Sequence, residues 1–211
     1  MKIQTIGAIG AIALLASSAH ASLRITEAMS SSGSGGTADW FEVTNYGSSA
    51  VDITGYRMDD NSYSFANSVL LSGITSIGAG ETVIFVEGAE GSVAGFRSFW
   101  GGLSGVNIGY YSGGGVSFGS GGDGVVLFNA SQSEVTARAE FGAATTGSSF
   151  YFGLASNTGI VSTVGTIGTQ VTFATTGDPV NIGSLGTAIG VPGPGALALL
   201  GVAGLAARRR R

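Results

Sequence analysis

The chain has 211 residues, a formal net charge of −4, no cysteine and one histidine. The only lysine, Lys2, and the histidine, His20, lie in the first 21 residues. Residues 22–190, the body of the chain, therefore hold thirteen acidic side chains against four arginines. This composition excludes disulfides and thiol catalysis, and it leaves the body without the commonest general base and metal ligand. An acidic surface repels phosphate, so we expect no nucleic-acid partner, and nothing in the sequence indicates a cofactor.

The first 21 residues have the organisation of a secretory signal peptide. Lys2 is followed by an apolar run over residues 6–16 and then by Ala19, His20 and Ala21. This order matches the charged region, the hydrophobic region and the A-x-A cleavage site of a leader, and the apolar run is too short to span a bilayer. We predict a signal helix that signal peptidase removes after Ala21, with Ala19 and Ala21 as its recognition positions.

The body is predicted to be one all-β domain of 169 residues, enough to bury about 70% of its unfolded surface. Apolar and polar residues alternate over 134–141, where the odd-numbered residues from Val135 to Phe141 would share one face. Uninterrupted apolar runs at 82–86 and 125–128 indicate strands covered on both faces. The remaining predicted strands are residues 23–29, 40–45, 51–54, 150–152 and 170–173.

Glycine, serine, asparagine and aspartate separate these runs at short intervals, as the turns of a β-sandwich require. A helical period is confined to residues 93–100. The Gly/Ser-rich stretch 101–124 is predicted to be a loop that holds one short strand at residues 116–118.

Five segments follow one another along the body: ITEAM at 25–29, DWFEVTNYG at 39–47, VDITGYRMDD at 51–60, IGAGETVIF at 77–85 and GGDGVVLF at 121–128. In this order, over roughly residues 23–152, they resemble the lamin-tail domain. The resemblance implies an immunoglobulin-like antiparallel β-sandwich. In several exported bacterial members this domain is an adhesion or assembly module, sometimes attached to nucleases or phosphatases. The chain leaves no room for such an enzyme, and we expect the protein not to be one.

Residues 191–211 form a tail in three parts: a Pro/Gly segment, an apolar run over 195–207, and four terminal arginines. A helix over 195–207 would be roughly 20 Å long at about 1.5 Å per residue, short of the ~30 Å hydrocarbon core. We predict a short C-terminal transmembrane helix that engages the bilayer transiently, since arginines hold their end at the cytoplasmic face. The membrane-stop charges are Arg208, Arg209, Arg210 and Arg211.

This tail resembles the PEP-CTERM sorting signal of bacterial surface proteins. The resemblance implies processing by an exosortase, a membrane-embedded cysteine protease, and transfer to the cell surface or the exopolysaccharide matrix. The sequence departs from the family pattern at one position, where the usual glutamate is Gly193. The alternative interpretation is an ordinary C-terminal membrane anchor. The predicted sorting motif is Val191, Pro192, Gly193 and Pro194.

Two groups of acidic residues are candidate sites. Asp59, Asp60 and Asn61 offer oxygen ligands for calcium, although their spacing favours a turn capped by their own side chains. Glu27 and Glu42 lie on strands predicted to pair. They would suit a hydrolase if a cleft held them about 5–10 Å apart, but we expect solvated side chains. Residues 87–90 are expected to form a solvated acidic loop.

Five aromatic residues are candidates for a sugar-stacking platform, with core packing as the alternative. Within its strand, Trp40 is expected in the core. Tyr110 and Tyr111 lie in the Gly/Ser-rich stretch 101–124, and a loop position makes an exposed, ligand-binding role more plausible for them than for Trp40. The full set is Trp40, Trp100, Tyr110, Tyr111 and Tyr151.

The sequence thus predicts an exported, non-enzymatic surface or extracellular-matrix protein whose β-sandwich is an adhesive or structural module. A surface-displayed carbohydrate-binding module is the alternative, and a hydrolase that uses carboxylates such as Glu27 and Glu42 is a third hypothesis. The expected partners are signal peptidase, an exosortase-type protease, the inner membrane in transit, and exopolysaccharide or other surface proteins.

Overall fold

The computed structural model describes residues 23–33, 36–101, 103–154, 156–163, 173–174, 181–188 and 190. The predicted signal peptide, the cleavage positions Ala19 and Ala21, the sorting tail and most of the strand predicted at 170–173 lie outside these residues. Among the described residues, no helix is long and apolar enough to cross a membrane.

The described part of the chain contains fourteen strands and one helix. In chain order they are β1 (Leu23–Met29), β2 (Trp40–Asn45), β3 (Val51–Asp52), β4 (Arg57–Asp59), β5 (Val69–Ser72), β6 (Ser76–Ile77), β7 (Thr82–Glu87), α1 (Glu90–Trp100), β8 (Asn107–Tyr111), β9 (Asp123–Phe128), β10 (Ala139–Phe141), β11 (Phe150–Tyr151), β12 (Ile160–Val161), β13 (Phe173–Ala174) and β14 (Ile182–Gly183).

Ten of these strands form one hydrogen-bonded sheet in the order β10-β9-β4-β5-β8-β7-β2-β1-β11-β12. The sheet folds over on itself, because the Phe141 ring on β10 stacks on the Phe150 ring on β11 with centroids 4.7 Å apart. The two ends of the strand order are also joined. The Glu140 amide donates to the Asn157 carbonyl at 2.8 Å, and the Gly159 amide donates to the Glu140 carbonyl at 2.6 Å. The all-β sandwich expected from the sequence is therefore confirmed.

One hydrophobic core fills the interior of the folded sheet. On neighbouring strands, Phe41 stacks on Phe85 with ring centroids 5.5 Å apart, and Tyr111 contacts Phe41 at 5.5 Å. Phe118 joins this group to the opposite layer, 6.4 Å from Phe41 and 5.7 Å from Phe141. Each aromatic side chain removes about 150–250 Å² from water, so these rings supply much of the driving force for closing the two layers.

The strands β7 and β8 pair in parallel, whereas every other pair of neighbours in the described sheet is antiparallel. A parallel pair cannot be joined by a tight hairpin, and here α1 makes the crossover. Phe96 and Trp100, one helical turn apart, face the sheet and make edge contacts to Trp40, each at 5.9 Å between ring centroids. The helix predicted at 93–100 is therefore confirmed and begins earlier, at Glu90, while the purely antiparallel sandwich is corrected.

Most predicted strands are confirmed, with β1 and β2 at the predicted bounds. The strand expected at residues 116–118 is wrong, because Val116 and Phe118 enter the core from a loop. In the Gly/Ser-rich stretch, a strand forms earlier, at β8. Residues 134–141 are a strand only from Ala139. The alternation breaks at Thr136, because its side chain is buried and its hydroxyl accepts a hydrogen bond from the Leu127 amide at 3.0 Å. Ala137, expected on the buried face, is exposed.

Candidate functional site

The strands β1 and β2 pair, as the sequence predicted, and the register makes Glu27 and Glu42 direct cross-strand neighbours. The expectation that they would be solvated is wrong, since both side chains are completely buried. They point away from the main core, on the outer face of the sheet, where residues 181–188 pass over them. We call Glu27 and Glu42 the carboxyl pair, and residues 181–188 the strap.

The described hydrogen-bond donors to Glu27, Ser149 and Ser184, lie far along the chain. One carboxyl oxygen accepts the Ser149 hydroxyl and the Ser184 amide, the latter at 2.8 Å. The other accepts the Ser184 hydroxyl at 2.8 Å and a longer contact of 3.1 Å from the same amide. A Cβ added at Gly183 would lie only 2.9 Å from this carboxylate, so the strap rests directly on Glu27.

Glu42 is held from both sides. Thr26 donates its hydroxyl at 2.6 Å to one carboxyl oxygen, and the Gly186 amide donates at 2.6 Å to the other. The Thr26 hydroxyl lies 3.0 Å from that of Thr44, which in turn lies 3.0 Å from that of Thr82. A row of hydroxyl groups thus runs across three strands from the buried carboxyl group to the half-exposed Thr82.

Burial makes the charged form of both groups unfavourable. It raises the pKa of Glu27 from 4.5 to about 7, and the hydrogen bonds from Ser149 and Ser184 oppose this rise only in part. Burial and the neighbouring Glu27 charge raise the pKa of Glu42 well above its ordinary value. Because neither carboxyl group reaches solvent, the pair does not form the open cleft that a carboxylate hydrolase requires.

Asp59, Asp60 and Asn61 form the end of β4 and the turn that follows it. Asp59 is buried, and one of its oxygens accepts the Ser62 hydroxyl and the Ser64 amide, each at 2.7 Å. Asp60 accepts the Ser62 amide at 3.0 Å. These contacts match the capped turn that the spacing favoured. Among the described residues, no group of three or more acidic, histidine or cysteine side chains is placed to hold a metal ion.

The five aromatic candidates do not meet in a platform. Trp40, as expected, is buried in the core, and Trp100 and Tyr151 are 5% exposed. The exposed role considered for Tyr111 is wrong, because its side chain is completely buried against Phe41. In β8, successive side chains point to opposite faces, so Tyr110 lies on the outer face and stays half-buried.

Tyr110 lines a groove of about 490 Å³ between α1 and β8. Val93, Ala94 and Ile108 form its apolar wall, and Glu90 lies at the helix start. Arg97 also lines the groove and donates to the carbonyl oxygens of Leu103 and Val106, which fixes the connection after the helix. The segment predicted as a solvated acidic loop, residues 87–90, is only partly so. Glu90 is exposed, whereas Glu87 is the last residue of β7 and accepts a hydrogen bond from the Ser117 hydroxyl at 2.7 Å.

Asp39 is a half-buried carboxyl group that the sequence did not single out. It accepts the Phe118 amide at 2.8 Å. Burial raises its pKa from 3.8 to about 7, opposed by that hydrogen bond and reinforced by the charges of Glu87 and Asp123. Its partner Phe118 lies 79 residues along the chain, so no local pattern could have found this contact.

These features define the class of protein as an immunoglobulin-like β-sandwich whose central acidic side chains are enclosed by the fold or cap its backbone. The family model of the Lamin Tail Domain matches residues 16–142, more than half of the chain. The chain therefore belongs to the lamin tail domain family, in which this domain is typically a non-catalytic module. No curated protein and no solved structure matches the chain.

Proposed function

We propose that the protein is an exported, non-enzymatic surface or matrix protein whose β-sandwich serves as an adhesive or structural module. The observation that supports the non-enzymatic part of the proposal is how the candidate carboxyl groups are held. Glu27, Glu42 and Asp59, three of the acidic residues that the sequence offered as site candidates, are buried and accept hydrogen bonds from the protein itself. Groups held in this way stabilise a fold and do not face a substrate.

The two ends of the sequence support the route of export. The leader over residues 1–21 suits transfer through the translocon and cleavage after Ala21. The apolar run and terminal arginines of residues 195–211 suit a pause in the inner membrane, with residues 191–194 near its outer face. An exosortase-type protease would cut there and pass the sandwich to the surface or the exopolysaccharide.

Intact-mass spectrometry of the protein recovered from native cells and medium tests this route. We expect a chain that begins at Ser22 and ends near residues 191–194. A mass that includes Arg211 on the mature surface protein would contradict sorting and make the tail a plain membrane anchor.

A variant pair sharpens the test. Replacement of Pro192 and Pro194 by alanine removes the motif and should leave the tail uncut. Replacement of Pro179 by alanine, outside the motif, is the matched control and should not change the mature mass. Loss of processing in the control as well would mean that proline replacement acts through folding, not through recognition.

The groove beside Tyr110 favours a second candidate function, the binding of a surface carbohydrate. An aromatic ring with apolar and charged neighbours is a common arrangement for a small polar ligand. Glycan-array binding that is lost in Tyr110→Ala and kept in Tyr63→Ala would support this function, since Tyr63 is a half-buried tyrosine outside the groove. An array without binding, or equal loss in both variants, would contradict it.

A further inference from the structure

We propose that the carboxyl pair is a proton-dependent latch that holds residues 184–188 of the strap against the sandwich and releases them when both carboxyl groups ionise. Three features of the structure carry this inference: the placement of the pair, the way in which the strap is anchored, and the absence of charge in the strap. The latch concerns described residues of the folded domain and goes beyond the sorting function.

The placement of the pair brings two acidic groups together without a cationic partner in the strap. Glu27 and Glu42 face each other across neighbouring strands and are both fully enclosed. Residues 181–188 read NIGSLGTA and contain no titratable side chain. Two negative charges in this enclosed space would repel each other and lack water, so a docked strap requires at least one proton on the pair.

The other titratable groups that the structure describes around the pair do not replace that proton. Burial raises the pKa values of Tyr151 on β11 and Tyr46 after β2 above 10. The negative charge of Glu42 adds to this rise for both tyrosines. Both tyrosines are therefore neutral in the range in which the pair titrates. Arg24 on β1 directs its guanidinium to the Gly153 carbonyl and the Asn157 side chain, each at 3.3 Å.

The strap is anchored in two different ways along its length. At its start, the Ile182 amide donates to the Gly147 carbonyl at 2.6 Å, and the Ile182 carbonyl accepts the Ser149 amide at 3.0 Å. These backbone bonds do not depend on pH. Further on, the amides of Ser184 and Gly186 donate to the carboxyl pair itself, and Leu185 packs into the cluster under α1. Ionisation therefore acts on residues 184–188, with 181–183 as the fixed end.

The direction of the effect follows from the raised pKa values. The docked state binds the protons more tightly than the released state, in which each glutamate returns to about 4.5. Docking is strongest below that pH and weakens as the pH rises through about 7 and beyond. Release would free residues 184–188 and add up to about 18 Å of reach between the sandwich and the chain that follows.

Hydrogen exchange on the full-length chain tests the latch, with each rate corrected for the intrinsic pH dependence of exchange. Between about pH 5 and about pH 8, we expect the protection factors of the Ser184 and Gly186 amides to fall by about tenfold or more. The amides of Ile182 and of β7 should stay protected. Unchanged protection of Ser184 and Gly186 would overturn the proposal, and so would a parallel loss at Ile182 and in β7.

The matched variant is Glu42→Gln, whose amide can accept from Gly186 and donate to Thr26 but cannot ionise. We expect the strap of this variant to stay protected at both pH values. Asp39→Asn removes a different carboxyl group of raised pKa and should keep the wild-type loss of protection. A Glu42→Gln variant that still loses strap protection with rising pH would overturn the latch. If that variant does not fold, the comparison of Ser184 with Ile182 in the wild type decides.

Introduction of a single thiol gives a second measurement, because the chain has no cysteine of its own. The side chain of Leu185 is 1% exposed, so Leu185→Cys places the thiol under the docked strap. We expect its labelling rate, corrected for thiolate fraction, to rise with pH in this variant and to stay low when Glu42→Gln is added. Equal corrected rates at both pH values would count against release.

Discussion

The individual side chains of this domain show how strongly burial changes the meaning of an acidic residue. In the sequence, nothing distinguishes Glu27, Glu42 and Asp39 from Asp52 and Glu134, which the fold leaves exposed. Burial raises the pKa of the first three, whereas hydrogen bonds from Thr54 and Arg138 lower the pKa of Asp52 and Glu134. The two groups therefore affect stability with opposite dependence on pH.

The replacement Asp39→Asn tests this at one residue. An asparagine oxygen can still accept the Phe118 amide, but the side chain no longer ionises. The pKa of Asp39 rises from 3.8 to about 7 on folding, so the contribution of this group to stability is full below 3.8 and declines as the pH rises to about 7. Urea unfolding should show a smaller decline for the variant over this range.

The exposed Asp52 supplies the control for that experiment. Its pKa is lowered by Thr54, so it favours folding above its ordinary pKa of 3.8 and loses this effect as the pH falls. Asp52→Asn should therefore leave the decline toward neutral pH unchanged. An identical pH profile for wild type and Asp39→Asn would show that folding does not raise the pKa of Asp39.

At the scale of elements, the unit β7–α1–β8 departs most from a plain antiparallel sandwich. The helix has an apolar side, with Phe96 and Trp100 buried, and an outer side that holds glycine at positions 91 and 95. Glycine inside a helix costs stability relative to alanine. In β8, by contrast, Gly109 lets the backbone pass close to Phe85 and to the Ser72 carbonyl.

Gly95→Ala and Gly109→Ala should therefore have opposite effects. A Cβ at Gly95 meets nothing within 4 Å, and we expect the helix variant to be about 0.5–1 kcal/mol more stable. A Cβ at Gly109 would lie 2.5 Å from the Ser72 oxygen, so this variant should be destabilised and its β5–β8 contact loosened. Chemical denaturation measures both effects. A Gly109→Ala protein as stable as wild type would contradict the close approach.

For the whole molecule, closure of the folded sheet is the feature that most affects assembly. The backbone bonds between Glu140 and residues 157–159 satisfy groups that would otherwise lie on free sheet edges. A sandwich with open edges could pair strand to strand with another copy, whereas this closure places the ends of the described sheet against each other. Any self-assembly of the domain would then use side chains or loops.

Gly159→Val tests the closure. A Cβ at Gly159 would lie 2.9 Å from Phe150 and 3.0 Å from Phe141, so valine should push residues 157–159 away from β10. We expect lower stability and a concentration-dependent increase in mass in analytical ultracentrifugation. Gly142→Val is the matched control, since a Cβ there meets nothing within 4 Å. A Gly159→Val protein that remains monomeric despite lost exchange protection at Glu140 would contradict the role of closure in preventing association.

The sequence by itself determined what depends on local pattern: the bounds of strands β1 and β2, strands β7 and β9 from their uninterrupted apolar runs, the absence of thiol chemistry, and the family from its ordered steps. The predicted leader, sorting motif and arginine cluster also rest on the sequence alone. Only the tertiary structure decided which of the candidate site residues are buried and which are exposed. Glu27 is enclosed by Ser184, 157 residues away, and Tyr111 is buried by Phe41 on a strand from another part of the chain. Periodicity reports which face of a strand a residue occupies, whereas burial depends on what folds over that face, and here a distant segment covers it.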